Sequence, residues 1–328
     1  MQSRRYSTKS VIEAGLISAI IVVIFLIGTT VQITALIGVF ILPIPITLLY
    51  IRHGFKTALA SVIVSAVISA LLINPIDALT GVILFGVIGL MFGYCIHKDF
   101  SSFKTYILMS ITILIAQSLN IVLYSYLVDK NGIIGIVKEL VQQMLQGINI
   151  VKNTYGKDGL NSQQLAMING LKQILTVDMM LKIIPAGLAV NAFISSYVNY
   201  MITRSVLKKL RYEIKELVKF TEIFVHAVIM IIIFIGYCVG LYLNSKKIVS
   251  GDYIFYTSYL LFQCALMIQG FSVAAYYLKN KLKLNNGIVA IIIVVTSLMN
   301  LSQVYVIIAL ADLIFDFRKL DKNRYVKR

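Results

Sequence analysis

Long apolar runs constrain the fold of this chain more than any other feature. A helix needs about 20 apolar residues to cross the roughly 30 Å hydrocarbon core of a bilayer. Hydrophobic residues make up 59% of the 328 positions and charged residues only 13%, which excludes a water-soluble globule and a disordered chain. Eight runs of about the required length are separated by short polar or basic connectors: 11–28, 33–51, 55–73, 78–96, 105–128, 179–202, 223–243 and 253–278.

A ninth apolar stretch, 287–317, is too long for one span. As a single helix it measures about 46 Å, and the polar run Asn300-Leu301-Ser302-Gln303 lies in its middle. It is either one span with a buried tail or two short helices folded back. With two helices and a cytoplasmic N-terminus, 22 of the 30 Lys and Arg residues lie inside; with one span, 16 do. Because basic residues are retained in the cytoplasm, we predict an all-α, polytopic helix bundle in the cell membrane, with ten membrane segments and both termini cytoplasmic.

Residues 129–178 contain no full span, but they carry two apolar stripes at helical spacing. Gly156-Lys157-Asp158-Gly159 is typical of a turn, and Asn161 or Ser162 is placed to cap the second helix. We therefore predict an extracytoplasmic amphipathic helical hairpin between an N-terminal membrane region, 1–128, and a C-terminal one, 179–328. The stripes are Ile133, Val137, Leu140, Val141, Met144, Ile148 and Val151, then Leu165, Ile168, Leu171 and Leu175.

The net charge of +16 is explained by membrane topology, so we expect contact with membrane lipid and none with nucleic acid. Cys95, Cys238 and Cys264 form no CxxC pair, and the His residues are isolated, so we expect no metal and no cofactor. The motifs GxxxxGK[ST], HExxH and GxSxG do not occur. We therefore expect neither an enzyme nor ATP hydrolysis by this chain.

Polar side chains inside the spans are the candidate ligand-binding residues. Gln117 and Asn120 share a face of the fifth span, and Asn191, Ser195 and Asn199 share a face of the sixth. Counted along each helix, Gln117 and Asn191 lie at comparable depth, about 20 Å from an end. These residues predict a site for a small neutral or zwitterionic solute. The alternative is hydrogen bonding between helices, each bond worth about 0.6–2 kcal/mol.

Small residues and one acid are the remaining candidates. Gly89-x-x-x-Gly93 and Gly15-x-x-x-Ala19 allow close approach of another helix, either in plain packing or in coupling to a partner. Asp312 lies near the last membrane boundary beside Arg318. It is either part of an interfacial charge cluster or a proton-linked acid, since acids inside membranes are costly and often functional.

Two prolines interrupt the second span. Pro43 and Pro45 remove backbone hydrogen bonds. The freed carbonyls either line a substrate cavity, as in broken transporter helices, or mark a kink or a late helix start.

Over its whole length the sequence resembles the uncharacterised YybS-like family of bacterial membrane proteins. The resemblance rests on the glycine-rich fourth span and on two stretches, LPIPITLLYIRHGFKTAL (Leu42 to Leu59) and ADLIFDFRK (Ala311 to Lys319). These stretches carry no catalytic signature.

Over roughly the first 125 residues the pattern of apolar runs and polar breaks is similar to that of the substrate-binding subunits of energy-coupling-factor transporters. In that family a small-xxx-small pattern on the first helix packs against the energising partner; here Ala14-x-x-x-Ser18 and Gly15-x-x-x-Ala19 match it. The resemblance implies a subunit that binds or translocates a small-molecule solute and is energised by a membrane or ATPase partner. The alternative is a non-transporting scaffold or regulator that acts through the hairpin and the basic loops.

Overall fold

The computed structural model describes residues 8–30, 38–128, 131–155, 161–299 and 301–320. Within these ranges the chain is helical, apart from connectors and one short 3-10 turn, Phe220–Glu222. The helices are α1 (Thr8–Thr30), α2 (Pro43–His53), α3 (Phe55–Leu72), α4 (Pro75–His97), α5 (Ser102–Val128), α6 (Gly132–Tyr155), α7 (Ser162–Ile174), α8 (Val177–Lys209), α9 (Ala227–Ser245), α10 (Val249–Asn280), α11 (Asn286–Leu298) and α12 (Ser302–Phe315).

The lengths and compositions of these helices confirm the all-α, polytopic class. Among the described residues seven helices, α1, α3, α4, α5, α8, α9 and α10, are long and apolar enough to cross a membrane. A shorter apolar helix, Gly38–His53, occupies most of the predicted second run. It contains a break at Leu42, immediately before Pro43, where α2 begins. Pro43 therefore lies directly after this break, and both prolines lie in the first turn of α2.

The last apolar stretch is broken. Helices α11 and α12 are bent by 115° relative to each other, which excludes a single straight helix. Their 13 and 14 residues correspond to about 20 Å each, shorter than a bilayer core. The predicted pair of short helices is therefore confirmed.

The described residues divide into two compact units, which are considered separately. The first comprises 1–180 and 191–217, and the second comprises 181–190 and 218–328. Helix α8 contributes residues to both. The 191–217 segment, assigned to the C-terminal region from sequence, thus packs with the N-terminal residues.

In the first unit, α1 to α4 pack through small side chains. The Ser18 and Ser61 hydroxyls are 2.8 Å apart across the α1–α3 contact. Thr47 donates to the carbonyl oxygens of Pro43 at 2.9 Å and Gly89 at 3.0 Å, which joins α2 to α4. Residues with little side chain bring helices close enough for these bonds. The buried core is Ile17, Ile21, Leu42, Ile46, Leu49, Tyr50, Ala58 and Val62.

The predicted hairpin consists of α6 and α7, also in the first unit. Asn161 caps α7: its side chain accepts from the backbone N–H of Gln164 at 2.8 Å, and the Gln164 side chain accepts from the Asn161 N–H at 3.0 Å. This reciprocal pair is a capping box and confirms the predicted helix start. The expected turn at 156–159 lies outside the described residues.

In the second unit α10 packs against α9 and α12 with little space between backbones. A Cβ added to Gly240 on α9 would lie 2.5 Å from the backbone nitrogen of Phe255. One added to Gly270 on α10 would overlap the carbonyl oxygen of Tyr305 on α12. Such contacts leave room only for glycine.

Candidate functional site

The polar face of α8 is longer than the three residues found from sequence. Asn191, Ser195, Asn199 and Thr203 recur at every fourth position, so they lie one above another over about 18 Å. The Ser195 hydroxyl donates to Asn191 Oδ1 at 2.7 Å, and the Asn199 side-chain amide donates to the Ser195 carbonyl at 3.0 Å. Asn191 is exposed, whereas Asn199 and Thr203 are both 0% exposed. The face therefore leads from an accessible end to a buried end.

Two atoms at the buried end have unused hydrogen-bonding capacity. Asn199 Oδ1 and Thr203 Oγ1 are buried and have no hydrogen-bond partner among the described residues. An unsatisfied buried polar group costs about 1–3 kcal/mol, and each such group calls for an explanation, such as a bound water or ligand. Sequence reasoning missed Thr203, although the four-residue spacing from Asn191 extends to it.

The polar residues of α5 divide between two environments. The Asn120 side-chain amide donates to the Thr80 carbonyl of α4 at 2.8 Å, so it joins two helices. Gln117 Oε1 is buried and, within the described part of the chain, has no partner. Gln117 therefore offers a buried acceptor atom without a partner in the described ranges.

The register between α5 and α8 separates Gln117 from Asn191. The Ser196 hydroxyl donates to the Tyr106 carbonyl at 3.1 Å. The ion pair between Lys215 and Asp99, 2.7 Å, places the end of α8 beside the start of α5, so the two helices run antiparallel. From the Tyr106–Ser196 contact, Gln117 lies about 16.5 Å along α5 and Asn191 about 7.5 Å along α8. They are thus offset by about 9 Å along the axes, and no hydrogen bond joins them among the described residues.

A small cavity lies between α1, α2, α3 and α4. Its volume is about 20 Å³, and its lining includes Phe25, Phe85, Ser65 and Ser69. That volume holds about one water, so this cavity does not accommodate a solute in this conformation.

The two small-residue patterns lie in different surroundings. A Cβ added to Gly93 would lie 2.5 Å from Tyr50 Cβ, and one added to Gly89 would lie 2.7 Å from Ile46 Cβ, so both glycines pack against α2. Gly15 and Ala19 are exposed on α1, and nothing lies within 4 Å of a Cβ added to Gly15. Among the described residues of the first unit, nothing packs against Gly15 in this pattern.

Asp312, in the second unit, forms a buried ion pair. Both its side chain and that of Arg318 are 0% exposed. Asp312 Oδ2 accepts from Arg318 Nη2 at 2.9 Å and from Nε at 3.1 Å. Arg318 also donates to the backbone carbonyls of Thr221 and Ile223, each at 3.0 Å. The guanidinium therefore connects α12 to the segment that precedes α9.

Two polar residues of α10 complete this cluster. The Ser272 hydroxyl accepts from Arg318 Nη1 at 2.6 Å, and it lies 2.6 Å from the Phe220 carbonyl, to which it donates. Gln269 Nε2 is 3.4 Å from Asp312 Oδ2. Asp312 Oδ1 is buried with no partner in the residues the structure describes. The proton-linked role of Asp312 stays a prediction, while its pairing with Arg318 is a feature of the structure.

A second charged cluster joins α1 to α2 and to the connector after α8. Glu13 Oε2 lies 2.9 Å from His53 Nε2 and 3.4 Å from Arg52 Nη1. Arg52 Nε donates to the Tyr212 hydroxyl at 3.0 Å. Arg52 and His53 lie at the end of α2, and their contacts join it to α1 and to the connector after α8.

Comparison with known proteins gives a family and nothing more specific. In the described ranges, no group of three or more His, Cys, Asp or Glu side chains is arranged to hold a metal ion. No curated protein and no solved structure matches the chain. The model of one protein family, described as "Predicted membrane protein (DUF2232)", matches residues 19–313. With that match and its several membrane-crossing helices, the chain belongs to the DUF2232 family of multi-pass membrane proteins.

Proposed function

We propose that this protein binds a small polar solute within the membrane, on the α8 face, as the solute-binding subunit of a transporter. The observation that carries the proposal is the pair of buried atoms Asn199 Oδ1 and Thr203 Oγ1, for which the described residues supply no partner. An amide oxygen accepts hydrogen bonds, and a hydroxyl both donates and accepts. The solute therefore needs at least one N–H or O–H donor beside an acceptor.

The pattern of satisfied and unsatisfied atoms favours a ligand over simple helix packing. The Asn120 amide and the Ser195 hydroxyl each donate to a protein oxygen, as expected of groups that stabilise a bundle. Asn199 and Thr203 lie on a face that begins at the exposed Asn191, and that gradient supports entry of a solute from the accessible end. Because the polar side chains of this face are uncharged, a neutral or zwitterionic solute fits it best.

Apolar isosteres test the proposed site. Asn199→Leu and Thr203→Val remove the two atoms and keep the branched shape of each side chain; Asn199→Leu also removes the amide that donates to the Ser195 carbonyl. Thr112→Val is the matched control, because its hydroxyl donates to the Leu108 carbonyl at 2.7 Å. Purified protein is examined by mass spectrometry for a co-purified molecule and by thermal shift against a metabolite set. We expect at least a tenfold weaker affinity in the two site variants and no change in the control.

The proposal fails if a solute binds equally well to wild type and to the Asn199→Leu/Thr203→Val double variant. Unchanged binding combined with a higher melting temperature of the double variant would assign the two atoms to a structural defect, since replacing unsatisfied buried polar atoms stabilises a fold.

The energy source would be a partner, because the sequence has no ATP-binding P-loop. The small-xxx-small pattern of α1 and its exposed Gly15–Ala19 face support docking of a membrane partner there. A photo-crosslinking residue at position 15 should capture that partner, whereas one at position 18, buried against α3, should not. Equal capture at both positions would contradict the docking face.

The basic connectors support a topology with both termini in the cytoplasm of the cell. A reporter tag fused after Arg328 should be inaccessible to protease added outside intact cells, and a tag inserted within the hairpin should be accessible. The reverse pattern would overturn the topology and the assignment of the hairpin to the outer side.

A further inference from the structure

The hairpin contains an apolar groove that its own side chains leave unfilled. The groove lies between α6 and α7 and has a volume of about 450 Å³. Toward the start of α6 the stripe is covered, since Val137 and Val141 are 3% and 6% exposed. Farther along, apolar side chains line an open groove: Met144, Gly147, Ile148, Val151, Ile168, Leu171 and Leu175.

The charged residues nearest the groove lining in sequence are lysines. In the described residues 140–155 and 161–175, Lys152 and Lys172 are the charged side chains, and neither range contains an acid. Each lysine directly follows a groove residue in sequence. Lys172 Nζ reaches across the hairpin to Asn149 Oδ1 at 2.5 Å, so one ammonium group is held between the two helices. A molecule that fits this surface has a hydrocarbon part for the walls and an anionic part for the lysines.

The bilayer is the source of such a molecule. Helix α6 begins at Gly132, shortly after the spanning helix α5 ends at Val128, and α7 ends at Ile174, just before the spanning helix α8 begins at Val177. Both ends of the hairpin are therefore tied to ends of membrane helices. Apolar faces of helices that lie at the ends of membrane helices contact the boundary between the headgroups and the acyl chains of a bilayer.

We infer that the α6–α7 groove binds an anionic phospholipid from the surrounding bilayer, with an acyl chain along the apolar walls and the phosphate at Lys152 and Lys172. This site is separate from the polar face of α8, and neither proposal requires the other.

The full-length protein in phosphatidylcholine nanodiscs provides the test. A trace of phosphatidylglycerol with a diazirine on its acyl chain is photoactivated, and crosslinked peptides are located by mass spectrometry. The same chain on phosphatidylcholine is the headgroup control. We expect phosphatidylglycerol to label residues 144–151 and 168–175 at least fivefold more than phosphatidylcholine does.

Two glycines provide a matched pair of variants. Gly147→Phe fills the groove, and Gly170→Phe makes the same change on α7 away from the groove lining; a Cβ at either position has nothing within 4 Å. Gly147→Phe should reduce groove labelling at least fivefold and Gly170→Phe should leave it unchanged. A Lys152→Gln/Lys172→Gln variant should remove the preference for phosphatidylglycerol while labelling by phosphatidylcholine persists.

Three outcomes would overturn the inference. Equal labelling of the wild-type groove by the two lipids would show that the groove does not select an anionic headgroup. Equal labelling of the Gly147→Phe and Gly170→Phe proteins would show that the lipid does not bind in the groove. Crosslinking of the hairpin to a second copy or to another protein, without lipid labelling, assigns the surface to a protein interface instead.

Discussion

The buried pair of Asp312 and Arg318 allows a quantitative test of what holds the second unit together. Arg318→Leu removes five hydrogen bonds, which now end on Asp312, Ser272 and the carbonyls of Thr221 and Ile223. It also leaves the Asp312 carboxylate buried with only the 3.4 Å contact to Gln269. An uncompensated charge at 0% exposure is far more costly than a missing contact at the surface.

The expected magnitude follows from that burial. Removing one partner of a buried ion pair costs about 3–5 kcal/mol, so Arg318→Leu and Asp312→Leu should each lower the free energy of unfolding by that amount. Replacing both charges with apolar side chains of similar volume is often nearly neutral. The double variant should therefore be clearly less destabilised than the sum of the two single variants, by at least about 3 kcal/mol.

Denaturant unfolding in detergent micelles, followed by circular dichroism, measures these differences. Lys215→Met is the control, because the side chains of its ion pair are exposed, Lys215 by 48% and Asp99 by 85%. An exposed ion pair should contribute less than about 1 kcal/mol to the free energy of unfolding. Strictly additive losses in the double variant, or a loss under about 1 kcal/mol for Arg318→Leu, would refute the reasoning that the pair is buried and mutually compensated.

Two further predictions concern helix packing and capping. Gly93→Ala should lower the free energy of unfolding by about 1–3 kcal/mol, because the new Cβ would lie 2.5 Å from Tyr50 Cβ. Gly15→Ala is the control and should be neutral, since a Cβ there has open space around it. Similar losses in both variants would contradict the packing of α4 on α2. Asn161→Ala should cost about 1 kcal/mol of helix stability, because it removes the acceptor for the Gln164 N–H. Amide hydrogen exchange should become faster in α7 alone. Faster exchange in α5 as well, or no change in α7, would contradict a cap that acts only on α7.

Sequence patterns that depend on neighbours along one helix were sufficient for much of the fold. The length of an apolar run decides whether a helix can cross a bilayer, and the long helices follow from it. The Asn161 cap was predictable because its partner, Gln164, is three residues away. The break between α11 and α12 was predictable because 46 Å of helix exceeds the bilayer core by roughly half, and the 115° bend agrees.

The candidate site was less predictable, because it depends on how helices are rotated and in which register they pack. Asn120 and Asn199 are equally polar in sequence, yet the Asn120 amide donates to Thr80 on another helix, whereas the Asn199 amide donates to Ser195 on its own helix. The buried Asn199 Oδ1 atom has no partner among the described residues. The sequence also placed Gln117 level with Asn191, whereas the Tyr106–Ser196 contact offsets them by about 9 Å.

Composition and run length alone therefore determined that this is a multi-pass helical membrane protein, since each helix meets the hydrocarbon core by itself. Only the tertiary structure decided which polar groups are paired between helices, as Asn120 with Thr80, and which, within the described part of the chain, stay open, as the Thr203 hydroxyl does. The reason is that a hydrogen bond between helices requires two side chains within about 3 Å of each other, and no property of either segment alone sets that distance.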